Sequence, residues 1–145
     1  MNRKQIQLNV CKELLNPSRT CAGVFINEEE FAITTDGFTA YVFDIRDCVF
    51  DISKVPCKDK LKLHFEEKKT DVEILKTGLM FSEKGKLIEK YKGVDFAVYV
   101  DSKVAKPFEG YHFFASSEKG RILVKDDFGR LLGLFLPVSF KGSEE

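Results

Sequence analysis

Tryptophan does not occur among the 145 residues, and neither sign of charge is in surplus, with 23 Lys and Arg against 23 Asp and Glu. That balance argues against a protein that coats nucleic acid by bulk charge, since such chains usually carry a basic excess. It leaves room for a small basic face offset by acids elsewhere. Also missing is any apolar run long enough to cross a bilayer: the most apolar stretch, Leu131–Phe140, spans ten residues and contains Gly133 and Pro137. The start of the chain, Met1 to Gln7, is polar and basic and no apolar leader segment follows it, so a cytoplasmic chain without membrane contact is expected. The four cysteines, Cys11, Cys21, Cys48 and Cys57, lie at least nine positions apart, with no close pair of the kind that zinc knuckles and redox motifs use. Reduced thiols, mostly in the core, are expected rather than a disulfide framework.

The familiar signatures of catalysis are absent too. There is no Gly-rich phosphate loop, no nucleophile elbow and no metal-binding His pair. His64 and His112 have no Cys or carboxylate neighbour at ligand spacing and read as satisfied histidines. Asp36, Asp126 and Asp127 are oxygen donors of the type magnesium takes, but each stands where a hairpin turn favours Asp. Nothing beside Cys21 or Cys57 argues for a lowered thiol pKa. These absences lead to the expectation of a protein that is not an enzyme and uses no cofactor and no metal.

What is present is ordinary globular chemistry. Hydrophobic residues make up 43% and charged residues 32%, which argues against disorder. The length suits a single domain with its own core, and 14 Phe suit a sheet-rich interior. Residues 4–10 alternate polar and apolar and predict a half-buried strand. Asn9 then caps a short helix carrying Cys11, Leu14 and Leu15, which Pro17 ends. Three strands follow, at Gly23–Asn27, Phe31–Thr35 and Phe38–Ile45, with Asp36-Gly37 as a hairpin turn. In the middle segment 46–93, alternation predicts strands at Leu61–Phe65, Val72–Leu75 and Leu79–Phe81. Glu66–Lys69 reads as a solvated turn and Ser82–Lys92 as a charged, mobile connection. The last third has a strand at Asp95–Val100, a short helix capped by Asp101-Ser102 and holding Val104, Ala105 and Phe108, and strands at Tyr111–Ala115, Arg121–Lys125 and Arg130–Phe140. Pro137 belongs at an edge or near the end of its strand.

This order repeats. Val10 corresponds to Val100, Gly23–Ile26 to Tyr111–Phe114 and Phe31–Asp36 to Arg121–Asp126, at offsets of 88 to 90 residues. The expected fold is therefore one α+β domain over 1–145. It comprises two strand–helix–three-strand units, 4–45 and 95–140, with extra strands within 46–93 and two short helices on an antiparallel sheet.

Two stretches carry a family likeness. Phe31-Ala32-Ile33-Thr34-Thr35-Asp36-Gly37-Phe38-Thr39-Ala40 is similar to a strand and Thr-Asp-Gly turn of the bacterial DNA polymerase III sliding clamps. Arg121–Asp126 followed by Gly133-Leu134-Phe135-Leu136-Pro137-Val138 looks like that family's closing strand pair. With the predicted helices, the resemblance covers about two thirds of the chain and implies a single sliding-clamp-like domain with both helices on one face of the sheet. Clamps chain two or three such domains per subunit and close a ring from six, whereas this chain has the length of one.

The resemblance implies a processivity factor or replication accessory protein. Its helices would meet double-stranded DNA through phosphates, which long flexible cations serve without reading sequence. The DNA-binding candidates are Lys12 and Arg19 near the first helix and Lys103 and Lys106 on the second. As residues alone, they are equally the exposed cations of two amphipathic helices. The implied partners are DNA, a polymerase or other replication protein, and further copies of the chain. The alternative is an accessory protein of a phage or mobile element that binds another host protein without DNA.

Overall fold

The structure, a computed structural model, describes residues 3–15 and 21–140. Its first element is helical. In α1 (Arg3–Leu14), Ile6 and Val10 are buried, and Cys11 and Leu14 pack beside them. These positions recur at the three- and four-residue spacing of one helix face. The strand expected over 4–10 is therefore a correction. Ile6, Leu8 and Val10 fit an alternating pattern as well, but Leu8 stays 53% exposed while Gln7 is buried. Pro17, expected to end this helix, lies outside the described residues.

Nine strands follow among the described residues: β1 (Ala22–Phe25), β2 (Glu30–Thr34), β3 (Thr39–Asp44), β4 (Val72–Glu83), β5 (Lys86–Lys92), β6 (Ala97–Asp101), β7 (His112–Ala115), β8 (Ile122–Lys125) and β9 (Leu131–Phe135). They form one antiparallel sheet in the order β1-β2-β3-β9-β8-β7-β4-β5-β6. The first meander, β1 to β3, and the last, β7 to β9, meet at a β3–β9 seam. Corresponding strands thus lie at equal distances on either side of it. With its few short helices, the architecture is α+β.

Register decides which face each helix covers. Paired residues across an antiparallel ladder share a face. Phe31↔Phe43, Ile33↔Tyr41, Tyr41↔Gly133, Val124↔Gly133, Phe113↔Val124 and Ile74↔Phe113 therefore trace one face from β2 to β4. On the β1–β3 half of that face, Phe31, Ile33 and Phe43 cluster with Ile6 and Val10 of α1. On the other half, Phe113, Ile122, Val124 and Phe135 cluster with Ala105 of α3 (Ser102–Ala105) and Phe108 of the 3-10 turn that extends it. Both helices thus sit on the same face. The opposite face carries Ala32, Ala40, Val42, Leu123 and Leu134 and is covered by Leu61 and Phe65, from and just beyond α2 (Lys60–His64).

The seam is held by one ring over a missing side chain. Phe108 is fully buried and stacks on Tyr41 (5.2 Å) and Phe135 (5.9 Å). It lies over Gly133, where a Cβ would come within 2.9 Å of the ring and 2.5 Å of the Ala40 carbonyl oxygen. Only glycine allows that approach.

Four further expectations are corrected. Leu61–Phe65 is not a strand: Leu61 and Phe65 stand four apart and turn inward together, while Leu63 is exposed, as in a helical turn. Ser82–Lys92 is not a mobile connection but the end of β4 and all of β5, joined through Lys84 (φ 51°) and Gly85 (φ 78°). Two consecutive positive φ values are what a two-residue hairpin turn needs. Val72–Leu75 and Leu79–Phe81 are parts of one strand, interrupted by an irregularity between Lys76 and Met80. The final strand stops at Phe135, so Pro137 falls after it rather than inside it.

The sheet edges are partly covered. Gly23 of β1 donates to the Pro56 carbonyl (2.9 Å) and accepts from Lys58 N–H (3.0 Å). At the other end, Val138 N–H donates to the Tyr99 carbonyl of β6 (2.8 Å), and Phe140 packs on Phe81 and Tyr99. The chain beyond β9 therefore reaches the far edge strand. Such coverage limits unwanted strand pairing.

Candidate nucleic-acid interface

Lys12 lies in the last turn of α1 and is exposed. Because the helix begins at Arg3, Lys4, Leu8 and Lys12 follow one another at four-residue spacing, and all three are exposed. Lys4 is not among the cations that the sequence singles out, because alternation over 4–10 places it on a strand. A helical reading of the same residues would have put it on one stripe with Lys12.

Lys103 and Lys106 are exposed on α3 and its 3-10 extension. The helix starts where Asp101 accepts the Lys103 N–H (3.0 Å), the cap that the sequence predicted. Among the described residues, neither lysine makes an ion pair. The structure brings Lys103 and Lys106 together and leaves Lys12 over the other half of the same face. Arg19 lies outside the described residues.

Between α3 and strands β4, β5 and β7 lies a cleft of about 800 Å³, whose lining includes Lys103, Lys106, Tyr91, Tyr111, Phe113 and Glu109. Its acids are mostly engaged. Glu89 faces Lys76 at 3.6 Å, and Glu73 is bound by His112. Burial first, then the nearby Glu89, pushes the Tyr91 phenol well above its ordinary range.

His112 sits at the rim between two carboxylates, with Nε2 2.6 Å from Asp127 Oδ1 and Nδ1 2.9 Å from Glu73 Oε2. A neutral imidazole has one N–H, so two carboxylate acceptors fit the doubly protonated ring. The hydrogen bond to Asp127, then that to Glu73, raises the His112 pKa above its usual 6.5. With both nitrogens occupied, this ring braces β4, β7 and the β8–β9 turn and has no free nitrogen to offer a substrate. Its partners lie 39 and 15 residues away, beyond any local motif.

Of the other acids singled out in the sequence, Asp36 accepts from the N–H groups of Phe38 and Thr39, and Asp126 from those of Phe128 and Arg130. Both serve their turns. No group of three or more His, Cys, Asp or Glu side chains is arranged to hold a metal among the described residues. His64 is exposed on α2, and its carbonyl accepts from Arg121.

All four cysteines are unpaired. Cys21 is buried, and Cys11 and Cys48 pack against the core under α1, whereas Cys57 is exposed. Burial, then Asp47 and Asp44, pushes the Cys48 thiol up to about 11, which disfavours the nucleophilic thiolate. Among the described residues no helix is long and apolar enough to cross a membrane. No family model, curated protein or solved structure matches this chain.

Proposed function

We propose that this chain is a non-enzymatic, sliding-clamp-like binding module that contacts double-stranded DNA through phosphates and serves as a processivity factor or replication accessory protein. The observation that supports this most is the common face of α1 and α3, with Lys12, Lys103 and Lys106 exposed on it. A sliding surface needs cations that follow the backbone without reading bases, and exposed lysines on short helices meet that need. Among the described residues, one chain brings only this pair of helices to that face. Encircling a duplex therefore requires further copies or partner domains, which makes self-association and a replication partner part of the reading.

The test is duplex binding as a function of salt. The logarithm of the association constant should fall linearly with the logarithm of salt concentration. The doubly substituted Lys103→Glu/Lys106→Glu protein should bind more weakly, with a slope shallower by about one per lysine. An unchanged slope would remove the helix face as the contact.

A second reading, an accessory protein that binds a host protein without DNA, is favoured by the β4–β5 hairpin. Leu75, Leu79, Met80 and Leu87 are exposed there, a surface of the kind that marks protein contacts. Under it, duplex binding is absent at every salt concentration.

A further inference from the structure

We propose that the cleft beside α3 is a nucleoside-phosphate pocket, in which Lys103 and Lys106 hold the phosphate and Tyr111 stacks on the base. It goes beyond the duplex reading and shares only the two lysines with it. The cleft's volume, about 800 Å³, falls within the size of ligand clefts, roughly 300–1,000 Å³. Its floor is apolar and aromatic: Ile74, Tyr91 and Phe113 are buried core residues, with the Tyr91 and Phe113 rings 5.3 Å apart. Tyr111 is half-buried, packed against that core while lining the open space. Planar bases stack on such rings whatever their sequence.

Charge sorts the ligand further. Within the lining, Lys76 is offset by Glu89 and His112 by Glu73, which leaves Lys103 and Lys106 against Glu109 alone. The two lysines have no carboxylate partner among the described residues, so a phosphate dianion suits them. Glu109, likewise without an ion pair there, is a carboxylate acceptor with no basic neighbour bound to it. Carboxylates accept from exocyclic base amino groups such as N4 of cytosine. The pocket should thus prefer an amino-bearing base to thymine or uracil.

Such a ligand comes from two sources, a free nucleotide or an unpaired base of a single strand. Calorimetric titration with cytidine 5′-monophosphate, ribose 5-phosphate and a short oligodeoxycytidylate separates them. Binding of the monophosphate at least tenfold tighter than ribose 5-phosphate is expected. It should be lost in Lys103→Glu/Lys106→Glu and weakened roughly tenfold in Tyr111→Leu, which keeps apolar bulk but removes the ring. An oligonucleotide much tighter than the monophosphate assigns the pocket to a strand, and equal affinity assigns it to the free nucleotide.

Equal binding of ribose 5-phosphate and the monophosphate, or no binding of either nucleotide form, overturns the inference. So does unchanged affinity in a folded Tyr111→Leu protein. Should that variant not fold, NOEs between cytosine protons and the Tyr111 ring in the wild-type complex report the same contact, and their absence overturns it. Duplex binding measured alongside keeps the two readings apart. If duplex binding persists and the monophosphate fails, only the pocket falls; if the reverse holds, only the duplex reading falls.

Discussion

At the scale of single residues, the largest stakes lie at Arg121. Its guanidinium is buried and makes a bidentate pair with Asp71 (2.8 and 2.9 Å), while Nε and Nη2 also donate to the carbonyls of His64 and Glu66. Ser116 donates to the same carboxylate. One cation thereby ties the end of α2 and the loop before β4 to the β7–β8 turn. Removing one partner of a buried pair leaves the other charge uncompensated, so Arg121→Ala should destabilise the fold by about 3–5 kcal/mol in urea denaturation. Burial pulls the Asp71 pKa up, but the bonds from Arg121, Ser116 and the Lys68 N–H outweigh it and hold the carboxyl well below the usual range. A depressed carboxylate contributes stability that is fully present above its unfolded pKa, about 3.9, and is lost as pH falls below that value. Wild-type stability should therefore drop on acidification below about pH 4, and Arg121→Ala should flatten that limb.

The seam offers a second residue-scale test. Gly133→Ala would set a methyl against the Ala40 carbonyl and the Phe108 ring, and overpacking of this kind costs about 1–3 kcal/mol. A thermal unfolding midpoint equal to wild type would show that Phe108 does not seal the seam in solution. These two residues also mark what the sequence conceals. Asp36, Asp101 and Asp126 announce their roles because their partners are within four residues. Arg121 and Asp71 stand 50 apart, and Gly133 meets Phe108 only once the sheet has formed.

At the scale of elements, the meanders on either side of the seam were legible, since hairpin turns and β-rich runs are local signals. The failures came where two periods fit one short stretch. Ile6, Leu8 and Val10 satisfy a strand, yet Ile6, Val10 and Leu14 satisfy a helix, and tertiary packing chooses. What fixes α1 is partly polar. The buried Gln7 donates from Nε2 to the Asp47 carbonyl (2.9 Å) and accepts the Val49 N–H (2.6 Å), bonds to a segment 40 residues on. Gln7→Leu should leave both backbone groups unsatisfied, at a cost of about 1–3 kcal/mol. Amide exchange should show it as faster exchange in α1 and around Val49. Uniform exchange across the sheet would mean that α1 is held by its apolar side alone. The β4–β5 hairpin was missed because its charged residues masked a two-residue turn, Lys84-Gly85, without the Asn or Asp that usually signals one.

At the scale of the whole molecule, the repeat visible in the order of elements finds a spatial counterpart in strands arranged about the β3–β9 seam, although the stretch expected to match β6, residues 4–10, lies within α1. The common face of the helices was expected through the family resemblance alone, because it follows from register across six strands and no local signal carries it. On that face rests the proposal that Lys12, Lys103 and Lys106 meet a duplex. Its most direct test is residue-resolved amide chemical-shift mapping during titration with a short DNA duplex at low salt. The expected result is perturbation centred on the last turn of α1 and on residues 102–106, fading as salt is added. Perturbation confined to the α2 face or to the β4–β5 hairpin, or none at all, would contradict it.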